Sequence, residues 1–176
     1  MRLTLLIGGA RSGKSDAAVG FARRWKGPVV FVATAEARDD EMAERISRHR
    51  AARPLDWSTV ETDDVARALE DAPADAFVII DCLTLWISRL MERELSDADI
   101  EAAVRESAAV AAGRTAPTVA ITNEVGAGVV PDNALARRFR DVLGAANRVW
   151  AEAADRTLLV VAGRALPLHP IEDTTR

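Results

Sequence analysis

Gly8-Gly9-Ala10-Arg11-Ser12-Gly13-Lys14-Ser15 follows directly on the apolar run Leu3-Thr4-Leu5-Leu6-Ile7. The spacing is Gly, four residues, Gly, Lys, Ser. It reads as a buried strand, a tight glycine loop and a helix start, the order of a phosphate-binding P-loop. Glycine lets the backbone turn so that successive N–H groups face phosphate oxygens, and the positive end of the following helix adds attraction. In this reading Lys14 reaches the β- and γ-phosphates and the Ser15 hydroxyl holds Mg²⁺. The alternative is an ordinary strand-to-helix turn. Lys14 and Lys26 are the only lysines beside twenty-one arginines, so the pattern is a rare product of chance.

Downstream, Asp16 to Trp25 is helix-forming, with Ala18, Phe21, Ala22 and Trp25 at helical spacing, and Gly27-Pro28 closes it. Val29 to Ala33 is a β-branched run between turn residues, as expected of a buried parallel strand. Together these make a right-handed βαβ unit. Ligands sit beyond the carboxyl ends of strands in such sheets, so Ala33-Thr34-Ala35 is expected near the phosphate loop. Thr34 serves there either as nucleotide contact or as a helix cap.

Asp39 to Ala52 reads as a helix, acidic in its first turn and basic later, with Arg45 and His49 one turn apart on one face. On spacing alone His49 is an ordinary histidine on a solvated face. Arg53-Pro54 ends that helix. Trp57 to Glu61 alternates like a strand, and Asp63 to Leu69 reads as a short helix. Phe77-Val78-Ile79-Ile80-Asp81 is an apolar strand ending in a carboxylate. Paired with the P-loop, it resembles the second nucleotide motif, whose Asp orders Mg²⁺.

Leu83 to Leu95 and Asp97 to Ala112 read as helices, the second capped by Ser96 with Asp99. Thr118 to Thr122 is another buried strand, followed by the polar, glycine-rich Asn123 to Gly128. Pro131-Asp132 is expected to open a long helix through Ala154, striped by Leu135, Phe139, Leu143, Ala146 and Trp150. Thr157 to Ala162 forms the last expected strand, Gly163 a turn, and Pro167 to Arg176 a weakly ordered tail in which His169 is inert.

The 176 residues suit one domain over 1–176 with a substantial core. A formal charge of −4 argues against nucleic acid as a general partner. Cys82 stands alone, which fits a reducing, cytoplasmic compartment, and with His49 and His169 it suggests no zinc site. No apolar run is long enough to span a bilayer. Residues 1–7 read as a core strand rather than a signal peptide.

The residues thus reach a Mg²⁺-dependent nucleotide-binding α/β domain. Beyond this, the chain resembles the bifunctional adenosylcobinamide kinase/adenosylcobinamide-phosphate guanylyltransferases of cobalamin biosynthesis. The resemblance rests on Gly8 to Ser15, Val32 to Ala35, Asp39-Asp40-Glu41-Met42 with Arg45-Ile46 and His49, Arg53-Pro54, Trp57, Glu61 and Asp81-Cys82-Leu83-Thr84. It continues through Thr122 to Gly126, Val130-Pro131 to Arg137, Phe139-Arg140-Asp141 and Asn147.

The resemblance implies a RecA-like P-loop NTPase fold with a mostly parallel sheet flanked by helices, and a homotrimer. It implies phosphorylation of adenosylcobinamide by ATP or GTP. GMP transfer from GTP through a guanylyl-histidine follows, with His49 as nucleophile where some relatives carry a second histidine at the position of Arg48. Arg45, Arg48, Arg50 and Arg53 would favour the neutral imidazole and neutralise phosphate oxygens. Glu61 would read guanine, and Asp81 would order Mg²⁺ or the acceptor hydroxyl. Asn123, Glu124 and Arg11 are candidates for gripping the corrinoid. Another P-loop small-molecule kinase and a non-catalytic nucleotide-binding module are the competing readings.

Overall fold

The computed structural model describes residues 2–36, 40, 44, 47, 50 and 53–171. Among these, seven strands form one sheet in the order β3-β2-β4-β5-β1-β6-β7. The strands are β1 (Leu3–Gly8), β2 (Val29–Ala33), β3 (Ser58–Glu61), β4 (Phe77–Asp81), β5 (Thr118–Asn123), β6 (Arg156–Val161) and β7 (Arg164–Leu168). β1 through β6 pair in parallel and β7 returns antiparallel along β6. β1 lies inside the sheet, between β5 and β6, and both its faces are apolar, as the run Leu3 to Ile7 predicts.

Alternation along the strands splits the interior into two layers. Leu3, Leu5, Val30, Val32, Val78, Ile80 and Ala120 face a core completed by α2 (Val65–Asp71), α3 (Leu83–Glu92), α4 (Asp97–Gly113) and α5 (Ala134–Ala153). Leu6, Phe31, Ala33, Ile79, Val119, Ile121, Leu158 and Val160 face the other side, where Ala18 and Ala22 of α1 (Lys14–Ala22) cover them.

Local capping sets several boundaries. Asp64, Ser96 and Asn133 each accept a main-chain N–H three residues on, from Arg67, Asp99 and Ala136, so α2, α4 and α5 start where orphan donors find an oxygen. α5 therefore opens on Asn133 rather than on Pro131-Asp132. Its expected stripe is buried at Leu143, Ala146 and Trp150 but is 67% exposed at Leu135. α1 stops at Ala22, and Trp25, past its end, donates its indole N–H to the Asp75 carbonyl instead of extending the helical face.

α3 ends at Glu92, short of Leu95. Of the helix expected over Asp39 to Ala52, Asp40, Glu44, Ser47 and Arg50 are helical and the remainder lies outside the described residues. One element differs in kind. The expected tail from Pro167 begins inside β7, because Ala162 (φ 49°) and Gly163 (φ 72°) form a two-residue turn whose twist suits a hairpin. Pro167 is tolerated there because β7 is an edge strand.

Two polar clasps tie distant segments together. The Arg114 guanidinium, buried at the end of α4, donates to the carbonyls of Leu69 (2.7 Å), Ala72 (3.2 Å), Pro73 (2.8 Å) and Ala76 (2.9 Å). These close the carboxyl end of α2. The Asp155 carboxylate accepts the N–H groups of Arg2 (2.6 Å) and Leu3 (3.0 Å), which hold its pKa below the usual carboxylate value.

Arg114→Ala should lower the unfolding free energy by about 2–4 kcal/mol, read as a lower urea midpoint at unchanged slope, because it orphans buried carbonyls. Asp155 has a depressed folded pKa, so its contribution is present above the unfolded value near 3.8 and is lost as pH falls through the folded value. The stability gap between wild type and Asp155→Asn should therefore close on acidification below about pH 4.

Candidate active site

β1 delivers the chain into the glycine loop at Gly8, and the loop becomes α1 at Lys14. Gly13 adopts φ +99° at the helix N-cap, a left-handed conformation that glycine takes without a Cβ penalty. Lys14 is 6% exposed, and its Nζ curls back to the carbonyls of Gly8 (2.9 Å) and Gly9 (2.7 Å) and to Ser12 Oγ (3.3 Å). Gly9, Ala10 and Arg11 are exposed along the loop crest, Ser12 is buried and Ser15 half-buried.

The β6–β7 hairpin braces this loop from beneath. The Gly163 N–H donates to the Ser12 carbonyl at 2.8 Å. A Cβ on Gly13 would lie 3.3 Å from Gly163 Cα, and one on Gly8 would run into the Val160 carbonyl oxygen. The spacing of the motif fixes neither contact, since both come from residues about 150 positions away in sequence.

The carboxyl ends of β2, β3 and β4 gather the second group. Ala33 lies opposite Glu61 on β3 and opposite Asp81 on β4. The Arg53 guanidinium carbon sits 3.3 Å from the centroid of the Phe31 ring, a cation–π stack. Burial pushes the Arg53 pKa down, the charges of Asp81 and Glu61 push it up, and Arg50 opposes them. Arg50 pairs with Glu61 at 3.3 Å, both side chains being more than half exposed. Such a pair adds little stability and leaves Glu61 open to exchange partners. His49, Arg45 and Arg48 lie outside the described residues.

The Thr34 hydroxyl is engaged within the fold. Thr34 is fully buried, and its hydroxyl donates to the Cys82 carbonyl (2.7 Å) while accepting the Cys82 N–H (2.8 Å). Its own N–H reaches the Asp81 carbonyl at 3.2 Å, so Thr34 clasps the cis Asp81–Cys82 peptide. Its side chain supports the β4 corner, and Ala35 beside it is half-buried. Burial first, and then the Asp81 charge, push the Cys82 thiol up to about 11, so it remains protonated and is no nucleophile near neutral pH.

Sequence reading missed Arg89 of α3, which donates to the Thr34 carbonyl at 3.2 Å and faces Asp63 (3.7 Å) and Glu36 (3.9 Å). An arginine on an amphipathic helix carries no mark of such a partner.

Among the described residues no group of three or more His, Cys, Asp or Glu side chains converges as a metal cage. The Ser15 hydroxyl and the Asp81 carboxylate are hard oxygen donors. They fit Mg²⁺, which is commonly held by one or two protein oxygens together with substrate phosphates and water.

The loop, its helix and the mostly parallel sheet define a P-loop nucleotide-binding α/β protein. A family model described as cobinamide kinase / cobinamide phosphate guanyltransferase matches residues 4–168. The chain is 38% identical over 169 residues to the bifunctional adenosylcobalamin biosynthesis protein CobP of Pseudomonas aeruginosa, covering 93% of this chain and 95% of the relative. It is also 38% identical over 179 residues to CobU of Salmonella typhimurium, covering 92% and 96% of the two chains. A solved Pyrococcus horikoshii OT3 structure shares the fold at a TM-score of 0.58 and 10% identity, covering 98% of this chain and 88% of that one. The chain belongs to the cobinamide kinase / cobinamide phosphate guanyltransferase family.

The two glycines that open the loop should behave differently. Gly8→Ala should abolish detectable GTP binding by forcing β1 away from Val160, whereas Gly9→Ala, with nothing within 4 Å of the added carbon, should keep affinity within about threefold. Titration with a fluorescent GTP analogue measures both.

Proposed function

We propose that the chain, as one domain over 1–176, phosphorylates adenosylcobinamide with ATP or GTP and then transfers GMP from GTP to the product. The observation that carries this reading is the gathering of Arg50, Arg53, Glu61 and Asp81 at the carboxyl ends of the same sheet that presents Lys14. A plain phosphoryl-transfer site needs the loop, Lys14, Ser15 and Asp81. The adjoining arginines and Glu61 suit a second nucleotide reaction.

In the first reaction the acceptor hydroxyl oxygen attacks the γ-phosphorus, the bond to the bridging oxygen breaks, and the nucleoside diphosphate leaves. Gly8 to Ser15 cradle the phosphates, and Lys14 turns from the loop carbonyls to the β- and γ-oxygens. Asp81 accepts a hydrogen bond from the acceptor hydroxyl or orders the metal through water. Mg²⁺, when bound through Ser15 and Asp81, supplies charge neutralisation of the phosphates.

In the second reaction a His49 ring nitrogen attacks the α-phosphorus of GTP and pyrophosphate leaves, giving a guanylyl-histidine. An oxygen of adenosylcobinamide phosphate then attacks the same phosphorus and frees the imidazole, yielding adenosylcobinamide-GDP. Glu61 accepts the guanine N1–H and exocyclic amine by releasing Arg50, and the freed Arg50, with Arg53, faces the phosphate oxygens. Ala33 sits in register between Glu61 and Asp81. A cytoplasmic homotrimer is the assembly that accords with this reading. Among the described residues no helix is long and apolar enough to cross a membrane.

Purified protein incubated with Mg²⁺ and GTP labelled at the α-phosphate should acquire acid-labile, alkali-stable label. His49→Ala should remain unlabelled, and Lys14→Ala should lose both reactions. Label persisting on His49→Ala would refute the nucleophile assignment. Kinase activity in a wild type that takes no label would leave a plain small-molecule kinase.

A further inference from the structure

Four hydrogen-bonding groups close a ring beneath the end of β5. The Asn123 N–H donates to Thr84 Oγ1 at 2.8 Å. Thr84 and Thr122 hydroxyls lie 3.4 Å apart, and Thr122 Oγ1 donates to Asn147 Oδ1 at 2.6 Å. Asn147 Nδ2 donates to the Asn123 carbonyl at 3.0 Å. Because the Thr122 proton goes to Asn147, the Thr84 hydroxyl supplies the proton between the two threonines. Donation therefore runs one way round the ring, from the N–H of Asn123 back to its own carbonyl. Thr122 is 0% exposed, Asn147 6% and Thr84 7%.

Packing alone does not call for these groups. Thr84 follows Leu83 on α3 and Asn147 follows Ala146 on α5, both members of the main apolar core, and apolar residues of like volume would join the helices at lower desolvation cost. What the ring adds is a fixed main chain at one residue, since both polar groups of the Asn123 backbone end on buried side chains.

That residue adjoins the phosphate loop. Asn123 is in register with Gly8, and the next N–H, that of Glu124, donates to the Gly8 carbonyl at 3.2 Å. The same carbonyl accepts Lys14 Nζ at 2.9 Å. A continuous path of hydrogen bonds thus links Asn147, on the far helical layer, to the ammonium that meets the triphosphate.

We infer that Asn147, through Thr122 and the Asn123 backbone, is a positioning residue for Lys14 in the phosphoryl-transfer step. The inference rests on the reading that the phosphate loop carries that reaction. Lys14 exchanges the Gly8 carbonyl for phosphate oxygens as charge develops, so the placement of that carbonyl sets where the ammonium starts. A loosened ring blurs this placement while leaving the loop amides, which hold the ground-state nucleotide, in position.

The test compares Thr122→Val, which keeps volume but removes the donor to Asn147, Asn147→Asp, which removes the donor to Asn123, and Thr122→Ser, which keeps the hydroxyl. For each, the Kd of Mg·GTP, kcat for adenosylcobinamide phosphorylation and the melting temperature are measured on the intact chain. Thr122→Val and Asn147→Asp should lower kcat by about tenfold or more while Kd stays within about twofold, and Thr122→Ser should lie within about twofold of wild type in both.

Unchanged kcat in folded Thr122→Val, a parallel loss of affinity and rate, or Thr122→Ser failing like Thr122→Val would overturn the inference. A wild type inert toward adenosylcobinamide would instead sink the substrate reading. Slow hydrolysis of Mg·GTP by the same variants would then judge Asn147 by the same criteria.

Discussion

Much of this molecule turns on the main chain of Gly8. Its carbonyl accepts both Lys14 Nζ and the Glu124 N–H, and the Val160 carbonyl leaves no room for a side chain beneath it. One residue therefore joins β1, the Lys14 ammonium, the loop after β5 and the last parallel strand. A β-carbon there would separate strands whose spacing the sheet fixes at about 4.8 Å. The phosphate loop is held by contacts to neighbouring strands and not by stiffness of its own residues, glycine being the most permissive residue.

The two layers of the interior divide the labour. Four helices pack on one face, and from that side α3 and α5 send polar groups to the carboxyl edge: Thr84, Arg89 and Asn147. The opposite face carries α1 and the Arg53–Phe31 stack, so the groups suited to nucleotide chemistry approach from there. A site at the carboxyl ends of parallel strands can thus be shaped from both sides of the sheet.

The sequence was most readable where the cause is local. The P-loop spacing, the buried β-branched strands and the Ser96–Asp99 cap all follow from rules acting over a few residues, and the structure carries each of them. Long-range contacts were not legible. No local pattern announces that the Thr34 hydroxyl binds a peptide 48 positions away. Asn133 caps α5, although the nearby proline is the stronger helix-start signal in sequence. β7 is hidden in sequence because Pro167 argues against any strand except one at a sheet edge. The cluster of Arg50, Arg53, Glu61 and Asp81 emerged only once β2, β3 and β4 were aligned in register.

β7 has a consequence for how the molecule meets its neighbours. An outermost ribbon of unpaired amides invites a stranger to add its own strand, and here that ribbon carries the exposed apolar residues Leu166 and Leu168. Pro167 stands between them. Lacking an amide hydrogen, it leaves a gap in the row of donors an incoming strand would need. The same imino acid that disguised the strand in the sequence guards it against runaway sheet extension.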